Sequence, residues 1–124
     1  MRANGLLEAA SAHLPAAIAL RRSIHRNPKL GLDLPATQQA ILQALDGLGL
    51  EIELGRRASS ITATLAGARP GRSILLRADM DALPLREETG LEFASRVEGR
   101  MHACGHDAHV AMLVGAARLL AERR

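Results

Sequence analysis

Met101-His102-Ala103-Cys104-Gly105-His106-Asp107-Ala108-His109 gathers three histidines, the only cysteine and an aspartate into nine positions. A thiolate and an imidazole two residues apart reach one cation when the backbone extends or turns between them, and Gly105 removes the steric bar to such a turn. Cys104 and His106 are therefore candidate metal ligands, although two ligands do not close a site: structural zinc takes four from the protein and catalytic zinc three. The same thiol, beside histidines and close to a helix start, has the setting of a nucleophile. A lone cysteine is also commonly a small buried hydrophobe. Residue types alone leave these three roles for Cys104 open.

Asp79 and Asp81 form a second group. They end the run Ser73-Ile74-Leu75-Leu76-Arg77-Ala78, and their spacing of two sends both side chains to one face if the chain stays extended. The ends of strands are where open α/β sheets present functional side chains, so either acid can hold a cation or orient a ligand. The alternative is a polar turn, Asp79 to Pro84, in which aspartate bonds the backbone.

These groups need elements to carry them. Apolar positions Leu6, Leu7, Ala10, Leu14, Ala17, Ile18 and Ile24 recur with helical spacing and predict a first helix closing at Asn27-Pro28. Pro35 and Thr37 open a second, carrying Ala40, Ile41, Ala44, Leu45 and Leu48 and stopped by Gly47 and Gly49. Glu51-Ile52-Glu53-Leu54 alternates like a half-buried strand, and Ile61-Thr62-Ala63-Thr64-Leu65 alternates again, so the two are expected to pair as a hairpin. Ser73–Ala78 reads as a strand covered on both faces. Residues 84 to 101 read as irregular surface chain. From Asp107, the positions Val110, Met112, Leu113, Val114, Ala117, Leu119 and Leu120 predict a closing helix whose last residues, Arg123 and Arg124, suit its C-terminal dipole. The ligand cluster thus stands where a loop enters a helix.

At 124 residues and 48% hydrophobic, the chain suits one globular domain with a genuine core. That core must be aliphatic, because Phe93 is the only aromatic residue. Sixteen Lys and Arg against thirteen Asp and Glu give a net charge of +3, with the cations scattered as Arg21-Arg22, Arg56-Arg57, Arg72, Arg77 and Arg123-Arg124. Without a cationic stripe or aromatic faces the pattern argues against nucleic acid. A single cysteine excludes an internal disulfide and makes a reducing cytoplasm the expected location. Glu8, Ser11, His13 and Pro15 interrupt any signal-like start, and no apolar run approaches the length of a membrane span.

The succession Arg77-Ala78-Asp79-Met80-Asp81-Ala82-Leu83-Pro84, Glu87-Glu88-Thr89-Gly90 and Met101 to His109 resembles the M20 metallopeptidase family in its amidohydrolase branch. That branch includes hippurate hydrolases, N-acyl amino acid amidohydrolases and auxin-conjugate hydrolases. Arg21-Arg22-Ser23-Ile24-His25-Arg26-Asn27-Pro28-Lys29-Leu30-Gly31 is similar to its N-terminal signature, so the likeness runs from about residue 16 to the end. Lys29 stands where the signature usually has an acid, and Leu32-Asp33-Leu34 where it has an aromatic and then an acid.

The resemblance implies that Cys104 and His106 are two ligands of a two-metal centre holding Zn, Mn, Co or Ni. It makes Asp81 the catalytic-site acid that supports a metal ligand. Asp79 stands where other M20 branches place a metal-binding histidine, which leaves its role open, as do the positions of His25, His102 and His109. The implied chemistry is hydrolysis of the amide in an N-acyl amino acid, with the carbonyl polarised on metal and a glutamate activating water.

The family's paired glutamates, its two further metal-binding histidines and its inserted dimerisation domain have no counterpart in this sequence. The implied fold is thus α/β, a partial zinc-peptidase-like catalytic domain with a mixed sheet flanked by helices, residues 1–124 being its N-terminal part. Such a piece is expected to be inactive alone, to expose an apolar strand edge, and to need a further portion or a second copy as partner. Two other readings remain: a non-catalytic remnant or binding domain with a weak or absent metal site, and a thiol-dependent hydrolase.

Overall fold

In a computed structural model, residues 3–124 are described and the chain is ordered as α1 (Ala3–Arg26), α2 (Pro35–Leu45), β1 (Glu51–Leu54), β2 (Ile61–Thr64) and α3 (His106–Ala121). The elements follow the sequence periodicity closely. Helix α1 passes through Pro15 and ends where Pro28 cannot continue it. Pro35 occupies the first turn of α2, where its missing N–H is no loss, and Gly47, at φ +74°, turns the chain away after the last helical residues.

The three helices meet on one aliphatic core. Ile24 of α1, Ile41 and Leu45 of α2, and Val110 and Val114 of α3 are buried together, with Leu20, Ala44, Leu48, Leu50, Ile61, Ala78, Met80 and Ala117 packed around them. The inward pairs Ile41 and Leu45 of α2 and Val110 and Val114 of α3 are each spaced by four residues, so each of these helices offers one stripe. Burial of aliphatic side chains of this size contributes about 1.5 to 3 kcal/mol apiece.

The predicted hairpin forms: β1 and β2 pair antiparallel, with Glu51 opposite Thr64 and Leu54 opposite Ile61. All four residues of β1 are exposed rather than alternately buried. The α/β architecture holds, and among the described residues its sheet is this two-stranded hairpin. Ser73–Ala78 differs from the expectation of a strand covered on both faces. It joins no ladder among the described residues, and Ile74 and Leu75 are 86% and 88% exposed. An apolar run specifies that a segment favours burial, whereas pairing needs a neighbouring strand, and among the described residues β1 and β2 pair with each other.

Backbone hydrogen bonds fix the segment after that run. The Ala82 N–H donates to the Lys29 carbonyl at 2.8 Å, and Leu83 exchanges two bonds with Met101 at 2.9 and 3.0 Å. The Ser59 N–H reaches the Leu32 carbonyl at 2.8 Å, and the Leu34 N–H donates to the Ser59 hydroxyl at 2.7 Å. The loop after α1 is thereby joined both to the hairpin and to residue 82. Asp79 and Asp81 arrive beside the start of α3.

Candidate metal centre

His106 is the first residue of α3, and Gly105 before it sits at φ +80°, a left-handed conformation that a side chain would strain. The turn anticipated from Gly105 is therefore present. The His106 Nδ1 lies 2.9 Å from both the Asp81 carboxylate Oδ1 and the Asp81 carbonyl oxygen. Two acceptors on one nitrogen call for a proton there, which leaves the Nε2 lone pair for a cation. A carboxylate behind an imidazole is the arrangement that orients histidine ligands and raises their basicity. The Asp79 Oδ2 lies 4.0 Å from that Nε2, while the other Asp79 oxygen pairs with the Arg77 guanidinium.

The structure thus brings Asp79, Asp81 and His106 together. Cys104 is a free, exposed thiol, and among the described residues no group of three or more His, Cys, Asp or Glu is arranged to hold a metal ion. The donor set fits part of a divalent-metal site: one oriented imidazole nitrogen at the start of α3 and one exposed sulfur two residues before it. The His109 ring lies 5.7 Å from that of His106, tilted by 37°.

A second polar constellation lies between α1 and α3, and it joins residues that occur in the sequence motifs without an assigned role there. Asp107 is completely buried; its Oδ2 accepts a hydrogen bond from the Arg21 Nε and faces the His25 Nδ1, both at 2.7 Å. The His25 Nε2 faces the Glu87 Oε1 at 3.1 Å. A ring with one N–H donates to one of these carboxylates, and a ring with two donates to both. Glu87 also accepts from the Thr89 hydroxyl and the Ser95 N–H, each at 2.6 Å. Burial alone pushes the Glu87 carboxyl up, but these hydrogen bonds and the His25 charge outweigh it and hold the group below its ordinary value of 4.5.

Phe93 covers this seam, with the Arg21 and Arg22 guanidinium carbons 4.9 and 4.8 Å from its ring centre and His25 edge-on at 5.4 Å. His102 is buried beside it, its ring centre 6.2 Å from that of His25. Burial pushes the His102 imidazole below its ordinary 6.5, against the opposing pull of Asp107. No local pattern announces this cluster. Its members come from residues 21, 25, 87 and 107, and only the tertiary packing joins them.

Comparison with known proteins bears on the chain's family and fold. The sequence profile of peptidase family M20/M25/M40 matches residues 75–124, which contain Asp79, Asp81, Cys104 and His106. A thermostable carboxypeptidase from Saccharolobus solfataricus is 45% identical over 108 residues, spanning 86% of this chain and 28% of the carboxypeptidase. An N-acyl-L-amino acid amidohydrolase from Geobacillus stearothermophilus is 46% identical over 108 residues, 86% of this chain and 29% of that enzyme. The crystal structure of a dinuclear metal-binding M20 peptidase from Bacillus subtilis superposes with a TM-score of 0.87 at 40% identity, covering 92% of this chain and 32% of the peptidase. The chain therefore spans under a third of the length of these relatives. By sequence from residue 75 onward and by fold over nearly all its length, the chain belongs to the M20 peptidase family.

Proposed function

We propose that this chain supplies part of a divalent-metal centre for hydrolysing the amide bond of N-acyl amino acids or similar small amides. Cys104 and His106 are its ligands, and Asp81 is the acid that orients His106. The observation that carries this reading is the double acceptor on the His106 Nδ1, which directs Nε2 outward as a ligand. Carboxypeptidases and N-acyl amino acid amidohydrolases, both represented among the relatives, cleave one type of bond, an amide next to an amino acid. A thiolate and an imidazole suit Zn, Co or Ni, and Mn is accommodated where carboxylates are added. When bound, such ions, two in the complete family enzyme, supply Lewis acidity toward the amide carbonyl. The chain's own residues hold the proton on the His106 Nδ1, present Nε2, and offer the exposed Cys104 sulfur.

On this reading residues 1–124 are the N-terminal part of an M20-type catalytic domain and are inactive alone, because one imidazole and one thiolate leave the coordination open. The substrate is a small molecule rather than nucleic acid or membrane, and the partner is a further portion of the catalytic domain or a second copy. Among the described residues no helix is long and apolar enough to cross a membrane. A single cysteine agrees with a reducing cytoplasm.

Cobalt titration followed by visible absorption tests the assignment. A sulfur-to-cobalt band lost in Cys104→Ala is expected, with affinity weakened about 10- to 100-fold in Asp81→Asn. Amidase turnover by the chain alone, abolished by chelation, would overturn the inactivity. The exposure of Cys104 and the lack of a three-ligand group among the described residues favour a second reading, a non-catalytic remnant. Absence of any cobalt band in the unsubstituted chain selects it.

A further inference from the structure

Helix α3 begins without a side-chain cap. Gly105 precedes it in a left-handed conformation, and no side chain bonds the free N–H groups of its first turn. The N–H groups of such an end are left to water or to contacts from outside the helix. His106 is the first residue of that turn, and its alignment on Asp81 depends on where the turn sits. The next residue, Asp107, is fully buried and carries both 2.7 Å bonds from α1 on one oxygen. His25 in turn reaches Glu87, which the Thr89 hydroxyl and the Ser95 N–H hold in place. The chain of contacts therefore runs from the loop at residues 87–95, through α1, to the residue next to the candidate ligand. Of the buried residues of α3, Asp107 is the one in its first turn, and Val110, Ala111 and Val114 follow from the second turn onward.

We infer that Arg21, His25 and Glu87, acting through Asp107, are positioning residues that clamp the uncapped start of α3 so that the His106 ring stays aligned between Asp81 and the metal. This rests on the reading of His106 as a ligand. Their contacts are with one another: Asp107 is the anchor, Arg21 and His25 the grip, and Glu87 the brace behind His25. Asp107 also lies in the first turn of α3, where its negative charge opposes the positive end of the helix dipole. Its loss removes the local and the tertiary restraint together.

The experiment uses the full 124-residue chain at one fixed pH, with two readouts. Long-range nitrogen–proton NMR of the metal-free chain reports which His106 nitrogen carries the proton, and cobalt titration reports the ligand geometry. In Asp107→Asn the helix content by circular dichroism is expected to persist. The His106 signal changes from the Nδ1-protonated form to a mixture, and cobalt affinity falls about tenfold, the lower end of what loss of an orienting partner costs. Glu87→Gln, one link further away, gives the same changes at roughly two- to threefold, and Arg21→Lys restores the signal better than Arg21→Ala does.

A folded Asp107→Asn chain with unchanged His106 tautomer and cobalt affinity overturns the inference. Should Asp107→Asn fail to fold, Glu87→Gln and the two Arg21 variants decide it by the same criteria. If the unsubstituted chain takes up no cobalt, the proposed function falls by itself. The tautomer readout then still decides whether the clamp positions His106.

Discussion

The seam between α1 and α3 and the extended run at Ser73–Ala78 invert the ordinary distribution of side chains. In the seam, His25, Glu87 and Asp107 are almost fully buried although all three are ionisable. In the run, Ile74 and Leu75 stand nearly free in solvent although both are aliphatic. Buried charge is tolerated in the seam because the Asp107 Oδ2, both His25 nitrogens and both Glu87 oxygens meet polar partners within hydrogen-bond reach, while the Asp107 Oδ1 stays unpartnered among the described residues. Exposed apolar surface in the run has no such local remedy, since among the described residues nothing lies alongside to cover it. Polar burial is thus decided within this chain, and apolar burial at residues 73–78 is left to whatever pairs with them.

The strongest way to break that contrast is to remove its anchor. Asp107→Ala leaves His25 and Arg21 without their shared acceptor and is expected to lower the unfolding free energy by about 3 kcal/mol, read from urea midpoints. A loss below about 1 kcal/mol would mean that the buried charges do not depend on one another. Gly105→Ala is expected to cost roughly 1 to 2 kcal/mol, because the left-handed backbone before His106 must then carry a Cβ. A neutral effect there would show that the start of α3 has room to move and that the seam does not hold it.

Acid sharpens the comparison further. The Glu87 carboxyl lies below 4.5 in the folded chain, so its stabilising contribution is present above 4.5 and is lost as pH falls through the lower folded value. Unfolding midpoints measured from neutral pH into acid should therefore fall, and Glu87→Gln should flatten that limb. An equal acid slope in both proteins would place the titrating group elsewhere. The smallest expected effect is in the run: Leu75→Lys should change stability by less than about 0.5 kcal/mol while reducing self-association in sedimentation. Destabilisation well beyond that would show that Leu75 is packed, and the contrast would disappear.

The helices and the hairpin are legible in the sequence because periodicity and turn residues are local signals. Val110 and Val114 follow from a spacing of four, and Pro35 and Gly47 mark where α2 starts and turns away. The run at 73–78 is apolar, as its residues say, but it is not covered, since a sequence records what a segment favours and not what lies beside it. At the candidate site, the pairing of Asp81 with His106 is accessible through the family resemblance, and the structure supplies its 2.9 Å geometry. The clamp is not accessible in that way. His25 reads as an ambiguous histidine and Asp107 as one member of a ligand-rich stretch, and their pairing spans 82 positions with no repeat or spacing to signal it.

Phe93 gives the molecule a built-in reporter. It is the only aromatic residue of the Phe, Tyr and Trp kind, and its ring is held against two guanidinium groups and the edge of His25. Phenylalanine fine structure in the near-ultraviolet therefore has a single origin in this protein, and its sign and intensity register the asymmetry of one small neighbourhood. Any variant, ligand or solvent condition that loosens the grip of α1 on α3 writes its effect into that one spectrum, without a label or an engineered chromophore.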